Sequence, residues 1–375
     1  MHVLLFLNHA CNLRCRYCYN GRKFHRPMSR DTIDRGIDLA FSRGDARLTF
    51  FGGEPLLEFD RMVHAVRRAR DVARHTGKRL RRFSVTVNGT LLNRDNLAFL
   101  RDEGFFLVIS LDGGKEASAD RVLEDGSAAY DRILQGVTLA TEYMNDLHIS
   151  AVVDPANVHL MSASFGHFLS IGVNRFSFNF NYDGAWTPEH LNVFRMEIEH
   201  CADLYVDAYR SGISVDFKGF TSKIRTHLHG GYPPGARCPF GDGEVTLTPS
   251  GRLYPCERLV GEDPPDSPLC IGNIEFGIDL VKVLSFARAK NAPAADCRTC
   301  SVVDRCTYFC GCVNWATTGT IGDVSGLLCE VEQTVIAQAD RAAGILFQER
   351  NPLFLERFYS MPGAADHAGS SGYFI

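Results

Sequence analysis

Cys11, Cys15 and Cys18 lie in the run Cys11-Asn12-Leu13-Arg14-Cys15-Arg16-Tyr17-Cys18-Tyr19, directly after the apolar stretch Val3 to Leu7. Three thiolates on one short loop can hold three irons of a [4Fe-4S] cube and leave the fourth iron without a protein ligand, open to a small molecule. Zinc is the competing reading, although zinc sites ordinarily take four ligands in paired C-x2-C spacing. A second thiol set lies far along the chain. Cys238 is followed by Gly251-Arg252-Leu253-Tyr254-Pro255-Cys256, then by Cys297, Cys300, Cys306 and Cys310 with gaps of two, five and three residues, and finally by Cys329. Zinc is also open for Cys297 to Cys310, since C-x2-C pairs suit it. Of the 13 cysteines only Cys201 lies between the two regions; among Ala202, Leu204 and Tyr205 it reads as a small buried hydrophobe.

The intervening chain must position these loops. Strands are predicted at Val3 to Leu7, Arg47 to Phe51, Phe83 to Val87, Phe105 to Leu111, Ile149 to Val153 and Phe176 to Phe180. Several are nearly continuous in apolar residues, as buried parallel strands tend to be. Helices alternate with them. Ser29 caps one whose Ile33, Ile37, Ala40 and Phe41 share a face, and Thr187-Pro188-Glu189 opens another. Six β-α units in series imply an α/β fold with a parallel sheet, curved or open, whose active residues sit at the strands' C-terminal ends. The polar motifs obey that rule: the three cysteines follow the first strand, Gly52-Gly53-Glu54-Pro55 the second and Asn88-Gly89-Thr90 the third, while the fourth ends in Ser110-Leu111-Asp112-Gly113. Glycines let backbone approach closely, and Glu54 offers a carboxylate to a cation. Asn-Gly is also a common turn, so Asn88 is the weaker candidate.

Composition narrows the function class. With 375 residues the chain has room for a large domain and a smaller one, and a net charge of -4 argues against nucleic acid or anionic membrane as the main partner. No apolar run is long enough to span a bilayer, and no signal peptide precedes the first strand, so a cytoplasmic protein is expected. Cysteines in such a compartment read as metal ligands rather than disulfides. The 13 histidines show no ligand spacing.

The cysteine run together with Gly-Gly-Glu-Pro resembles the signature of the radical S-adenosylmethionine (radical SAM) superfamily, over residues 1 to about 185. The resemblance implies a partial (β/α)6 TIM-like barrel. Cys11, Cys15 and Cys18 would ligate the cluster, whose open iron chelates S-adenosylmethionine and cleaves it to a 5'-deoxyadenosyl radical. Gly52, Gly53, Glu54 and Pro55 would line the methionine amino group, and Tyr17 would meet the adenine through its backbone. Ser110 and Asp112 would lie near the ribose or the substrate, with Asn88 a further cofactor contact.

The C-terminal cysteines are similar to the SPASM extension, a cysteine-rich domain that in its family binds two auxiliary [4Fe-4S] clusters, three clusters in all. The outer one would take Cys297, Cys300, Cys306 and Cys329. The inner one would take Cys238, Cys256 and Cys310, with Cys312, Cys270 or an open iron as its fourth position. The implied domains are a barrel core at 1–185, a helical connection at 186–237 with Gly230-Gly231 and Pro233-Pro234 near its end, the SPASM domain at 238–330, and a C-terminal helix and mobile tail at 331–375, the helix spanning Glu330 to Tyr359 and the tail Gly363 to Gly372.

Two auxiliary clusters offer a sink for an electron, which favours oxidation over isomerisation. The resemblance therefore implies a peptide maturase that forms a thioether or carbon-carbon crosslink in a ribosomally made precursor peptide. Epimerisation, formylglycine formation on a sulfatase and oxidation of a small-molecule alcohol are the alternatives. Sulfatase-type enzymes carry an aspartate after the Tyr-Pro-Cys cysteine; here Glu257 stands there, as a candidate base or as a partner of Arg258. An electron donor such as flavodoxin or ferredoxin is implied. Only ten residues precede Cys11, so a separate leader-binding protein, or direct binding by the barrel, is expected.

Overall fold

A computed structural model describes residues 1–233 and 237–360; the expected tail Gly363 to Gly372, and Pro234 of the expected boundary, lie outside the described residues. The fold is α/β, built on a predominantly parallel sheet that stays open as a partial barrel. The chain divides into two compact units. The first comprises Met1–Ser110, Asp120–Leu147 and Pro239–Ala289; the second comprises Leu111–Ala119, His148–Cys238 and the chain from Lys290 onward.

In the first unit β1 (His2–Phe6), β2 (Arg47–Phe51), β3 (Ser84–Val87) and β4 (Phe106–Ser110) run parallel in sequence order, with α1 (Arg30–Ser42), α2 (Phe59–Thr76) and α3 (Arg94–Asp102) between them and α4 (Tyr130–Tyr143) after β4. The Ser29 hydroxyl accepts the Thr32 N–H at 3.0 Å, and Ile33, Ile37, Ala40 and Phe41 are buried, as the spacing predicts. Phe83 and Phe105 stack 5.2 Å apart, and Phe105 lies 5.7 Å from Phe50, which locks neighbouring strands side by side. The opening part of the second cysteine region, Pro239–Ala289, also belongs to this unit. The strand at Glu244–Leu247, named β8 because β5 to β7 belong to the second unit, pairs in parallel with β1 and continues antiparallel into β9 (Arg252–Tyr254), β10 (Gly272–Asn273) and β11 (Gly277–Ile278).

The second unit holds β5 (Leu147–Val153), β6 (Arg175–Phe180) and the short β7 (Asp216–Phe217), all parallel. Around them lie α5 (Met161–Ser170), α6 (Pro188–Arg210), α7 (Lys218–Leu228) and, after α8 (Leu280–Asn291) and α9 (Gly311–Thr318), α10 (Gly326–Gln348) and α11 (Pro352–Tyr359). Thr187 and His190 form a reciprocal cap on α6, with Pro188 at its first turn. The expected single helix from Glu330 to Tyr359 is two helices. Arg350 takes the left-handed conformation at φ 51°, and Asn351 then caps α11 by accepting the Phe354 N–H at 3.1 Å. α10 also begins before Glu330, so Cys329 sits in its first turn.

The second unit's core contains an ion pair. Lys223 on α7 and Glu332 on α10 are 1% and 0% exposed, and their Nζ and Oε2 atoms are 2.7 Å apart. The same carboxylate oxygen accepts the Thr307 N–H at 2.8 Å, and Lys223 also donates to the Arg305 carbonyl at 3.1 Å. Breaking a buried pair from one side strands a charge and costs about 3–5 kcal/mol, whereas replacing both members by apolar residues costs far less. E332A is therefore expected to lower the denaturant midpoint sharply, with K223M/E332L recovering most of the loss. Equal midpoints for E332A and the native protein would contradict this account.

Candidate functional site

The loop after β1 is clasped by the loop after β2 through main-chain bonds. The Gly53 N–H donates to the Asn8 carbonyl at 2.7 Å and the Glu54 N–H to the Ala10 carbonyl at 2.9 Å. A Cβ on Gly53 would fall 2.0 Å from the Ala10 oxygen, and one on Gly52, whose φ is 135°, would fall 2.7 Å from the Asn8 oxygen. Both glycines are thus demanded by the approach of two backbones, one of which leads straight into Cys11. The far side of the cysteine loop is held by residues 120–124: the Arg14 N–H donates to the Val122 carbonyl at 2.7 Å, and the Arg121 guanidinium lies 5.5 Å over the Tyr17 ring. Asn20 donates to the Gly52 carbonyl at 3.1 Å and closes the clasp.

Glu54 turns inward. It is 1% exposed, and its carboxylate accepts the Leu56 N–H at 3.0 Å and the Asn88 N–H at 2.7 Å, tying the β2 loop to the end of β3. Burial pushes its carboxyl up to about 7. Asn88 continues the network: its amide donates to Asn12 Oδ1 at 2.8 Å and faces Cys11 Sγ at 3.7 Å, while its Oδ1 accepts both the N–H and the hydroxyl of Thr90. The Cys11 thiol is pushed up by burial and then by the Glu54 charge, and the Leu13 N–H points at its sulfur from 3.4 Å. Lys23 donates to Cys18 Sγ at 3.0 Å. These are donors aimed at sulfurs that become thiolates on binding iron, so the residues present fit a cluster on this loop.

Ser110 ends β4 in the first unit. Asp112 belongs to the second unit, is 3% exposed, and accepts the Val152 N–H at 2.8 Å. Cys256 and Glu257 lie in the first unit, where the Cys256 thiol points at the Glu257 carboxylate from 3.5 Å. The Glu257 carboxyl is pushed up by burial and by the Glu244 charge. The Tyr19 hydroxyl is raised by burial and then by Glu257, with Cys18 and Cys256 also acting on it, and Arg258 lies 5.1 Å over the Tyr19 ring. Glu257 and Cys256 are therefore brought beside the end of the first cysteine loop. Cys270 points its thiol at the Gly272 carbonyl from 3.1 Å.

In the second unit Cys297, Cys300, Cys306 and Cys329 line one cavity of about 120 Å³. The Cys329 thiol is raised by burial and then by Cys297 and Cys300, which places three of the four sulfurs in one another's field. Among the described residues no three His, Cys, Asp or Glu side chains form a group already arranged around a single metal ion. Four thiols around a cavity fit a cluster. Cys238 and Cys310 belong to the second unit and Cys256 to the first. Cys312 is 6% exposed, with its sulfur 3.5 Å from that of Cys310, and Cys201 is fully buried on α6.

Sequence reasoning passed over Lys23, Asn20 and Asn12, although Asn12 lies within the cysteine run itself. It also passed over a polar ladder on β5 and β6, where Asn179 donates to Ser150 at 2.8 Å and His148 meets Ser177 at 3.0 Å. The alternation of polar residues along these two strands was the available signal.

Residues 5–157 match the pattern of the radical SAM superfamily. Over 335 residues the chain is 25% identical to a serine-type anaerobic sulfatase-maturating enzyme of Klebsiella aerogenes, covering 82% of this chain and 79% of that protein. Over another 335-residue alignment it is 26% identical to the PqqA peptide cyclase of Gluconobacter oxydans, covering 85% and 87%. The structure is similar to that of native anSMEcpe with bound AdoMet, with a TM-score of 0.76 at 18% identity, covering 93% of this chain and 100% of that one.

The clasp makes a direct prediction. G53A forces apart the two loops and is expected to reduce iron bound by the Cys11 loop and to slow S-adenosylmethionine cleavage at least about tenfold, roughly 1.4 kcal/mol. G114A, where a Cβ would meet nothing within 4 Å, is expected to match the native protein in both measurements.

Proposed function

We propose, from the match of residues 5–157 to the radical SAM superfamily, that the chain is a maturase acting on a ribosomally made precursor peptide, in which it forms an oxidative thioether or carbon-carbon crosslink. The observation that carries this reading is the extent of the likeness to two peptide- or protein-modifying relatives, each aligned over more than four fifths of this chain, together with thiol sets at both of its cysteine regions.

When bound, the cluster and S-adenosylmethionine supply a 5'-deoxyadenosyl radical that takes a hydrogen atom from the substrate. The chain's own residues do the rest. Cys11, Cys15 and Cys18 hold the cluster, and Lys23, Asn88 and the Leu13 N–H direct positive charge and donors at its sulfurs. Gly52 to Pro55 form the wall beside the cofactor. Glu54 contributes to that wall by fixing it, since both of its carboxylate oxygens are engaged with backbone N–H groups. Tyr17, Asn88, Ser110 and Asp112 remain the proposed S-adenosylmethionine contacts. Cys297, Cys300, Cys306 and Cys329 would hold one auxiliary cluster and Cys238, Cys256 and Cys310 would contribute to a second, which would supply a sink for the substrate's electron, with a flavodoxin or ferredoxin as the electron donor. Either a separate leader-binding protein presents the peptide, or the barrel and the segment that follows it bind the peptide directly. No helix of the described residues is long and apolar enough to cross a membrane.

Glu257 favours a second reading, formylglycine formation on a sulfatase. It keeps a carboxylate directly after the Tyr-Pro-Cys cysteine, beside Tyr19 and the first cysteine loop, where a base could accept a substrate proton.

Anaerobic incubation of the reconstituted enzyme with S-adenosylmethionine, reductant and peptide separates the outcomes by mass. Loss of two hydrogens from a precursor peptide supports the crosslink, a mass unchanged in H2O but raised by one deuterium in D2O indicates epimerisation, and turnover of a sulfatase peptide alone supports the second reading. C15A is expected to abolish 5'-deoxyadenosine formation. E257Q is expected to leave that cleavage near native while slowing product formation about 10²-fold or more if Glu257 is the base.

A further inference from the structure

We propose that Lys290 is the built-in counter-charge of an iron-sulfur centre ligated by Cys238 and Cys310, and that it makes that centre easier to reduce. The inference rests on the auxiliary-cluster reading of the C-terminal cysteines. Lys290 ends the apolar and basic run of α8 and is only 2% exposed. A buried ammonium is costly unless an anion compensates it. Among the described residues Lys290 has no carboxylate partner. Its ammonium donates to Asn291 Oδ1 at 3.0 Å and lies 5.7 Å over the Phe309 ring.

The groups near it that can become anionic are sulfurs. Phe309 immediately precedes Cys310, and Cys238 packs against the cluster that Phe309 forms with Cys306 and Tyr308; burial lowers the Lys290 ammonium, and Cys238 and Cys310 are the groups that oppose that fall. As neutral thiols they compensate nothing. As thiolates on iron they supply the missing negative charge, so the burial of Lys290 makes sense in the metal-bound protein. Arg237 strengthens the same environment, stacked 5.5 Å over Tyr308 and 5.2 Å over Phe309 beside Cys238. The Cys312 sulfur lies 3.5 Å from that of Cys310, close enough to direct an S–H at it.

The consequence is electrostatic. A [4Fe-4S] centre that accepts one electron passes from a 2+ to a 1+ core with no bond broken, and a fixed cation nearby stabilises the more negative form. In the proposed reaction the electron comes from the oxidised substrate radical. Lys290 would thus tune the acceptor without ligating iron or touching substrate.

The test uses the full chain, reconstituted anaerobically, with iron and sulfide counted and each centre titrated with dithionite under EPR. K290M preserves the aliphatic stem and removes the charge. It is expected to keep the native iron count while one midpoint falls by ~59 mV or more, a tenfold change in the ratio of reduced to oxidised centre. K290R should remain near native, as should R288M, which removes an exposed charge from the same helix. If K290M instead loses the iron of one cluster or does not accumulate as folded protein, a K290R that restores full iron and the native midpoint supports the role of charge, and a K290R equally depleted overturns it. Full iron in K290M with every midpoint native also overturns it. Native protein that binds iron on the Cys11 loop alone overturns the auxiliary-cluster reading, and this inference falls with it.

Discussion

The first unit depends on a contact between two stretches of main chain. Asn8 to Ala10 and Gly52 to Glu54 lie so close that a single added carbon at position 53 would sit 2.0 Å from a carbonyl oxygen. Each stretch is delivered by a strand, β1 and β2, whose parallel pairing from His2 opposite Arg47 to Phe6 opposite Phe51 fixes the approach. The register leaves Leu7 to Ala10 and Gly52 to Glu54 extending together beyond the sheet. The cysteine loop begins where that contact ends, so its geometry inherits the precision of the sheet rather than the freedom of a surface loop.

Glu54 extends the same constraint to a third strand. Its carboxylate engages Leu56 within its own loop and Asn88 at the end of β3, and Asn88 in turn reaches Asn12 and faces Cys11. A closed circuit of hydrogen bonds therefore joins the ends of β1, β2 and β3. Burying a carboxylate is unfavourable, as its rise to about 7 shows, and the two backbone donors offset part of that cost. A glutamate that also bound a ligand cation would have to do so with both oxygens already engaged. This makes Glu54 first a fixer of the wall and only through it a contributor to binding.

Much of this was legible in the sequence because it rests on local chemistry. The apolar runs of β1 to β6, the Ser29 and Thr187 caps, and the placement of every polar motif after a strand follow from patterns a few residues wide. What escaped depends on distant encounters. The glycines at 52 and 53 read as room for a ligand, whereas the neighbour they admit is a backbone more than forty residues away. The pairing of β8 with β1 joins residues 244 and 2, and nothing near either one announces it. The break after α10 turns on Arg350 in a left-handed conformation, which an arginine rarely adopts and its neighbours do not advertise.

Buried cations show the same limit in the second unit. Lys223 and Lys290 both look in sequence like ordinary basic residues on amphipathic helices, yet they are 1% and 2% exposed. Their surroundings differ in a telling way. Lys223 has Glu332 within 2.7 Å, so its charge is balanced whatever metal is bound, and the pair serves the fold. Lys290 lies over the ring of Phe309, the residue before Cys310, with Asn291 as its hydrogen-bond partner, and on the inference drawn above its charge is balanced when thiolates on iron stand nearby. Two lysines of similar burial therefore carry different meanings: one joins two helices through a carboxylate, while the other, on the inference drawn above, would answer an anionic metal centre.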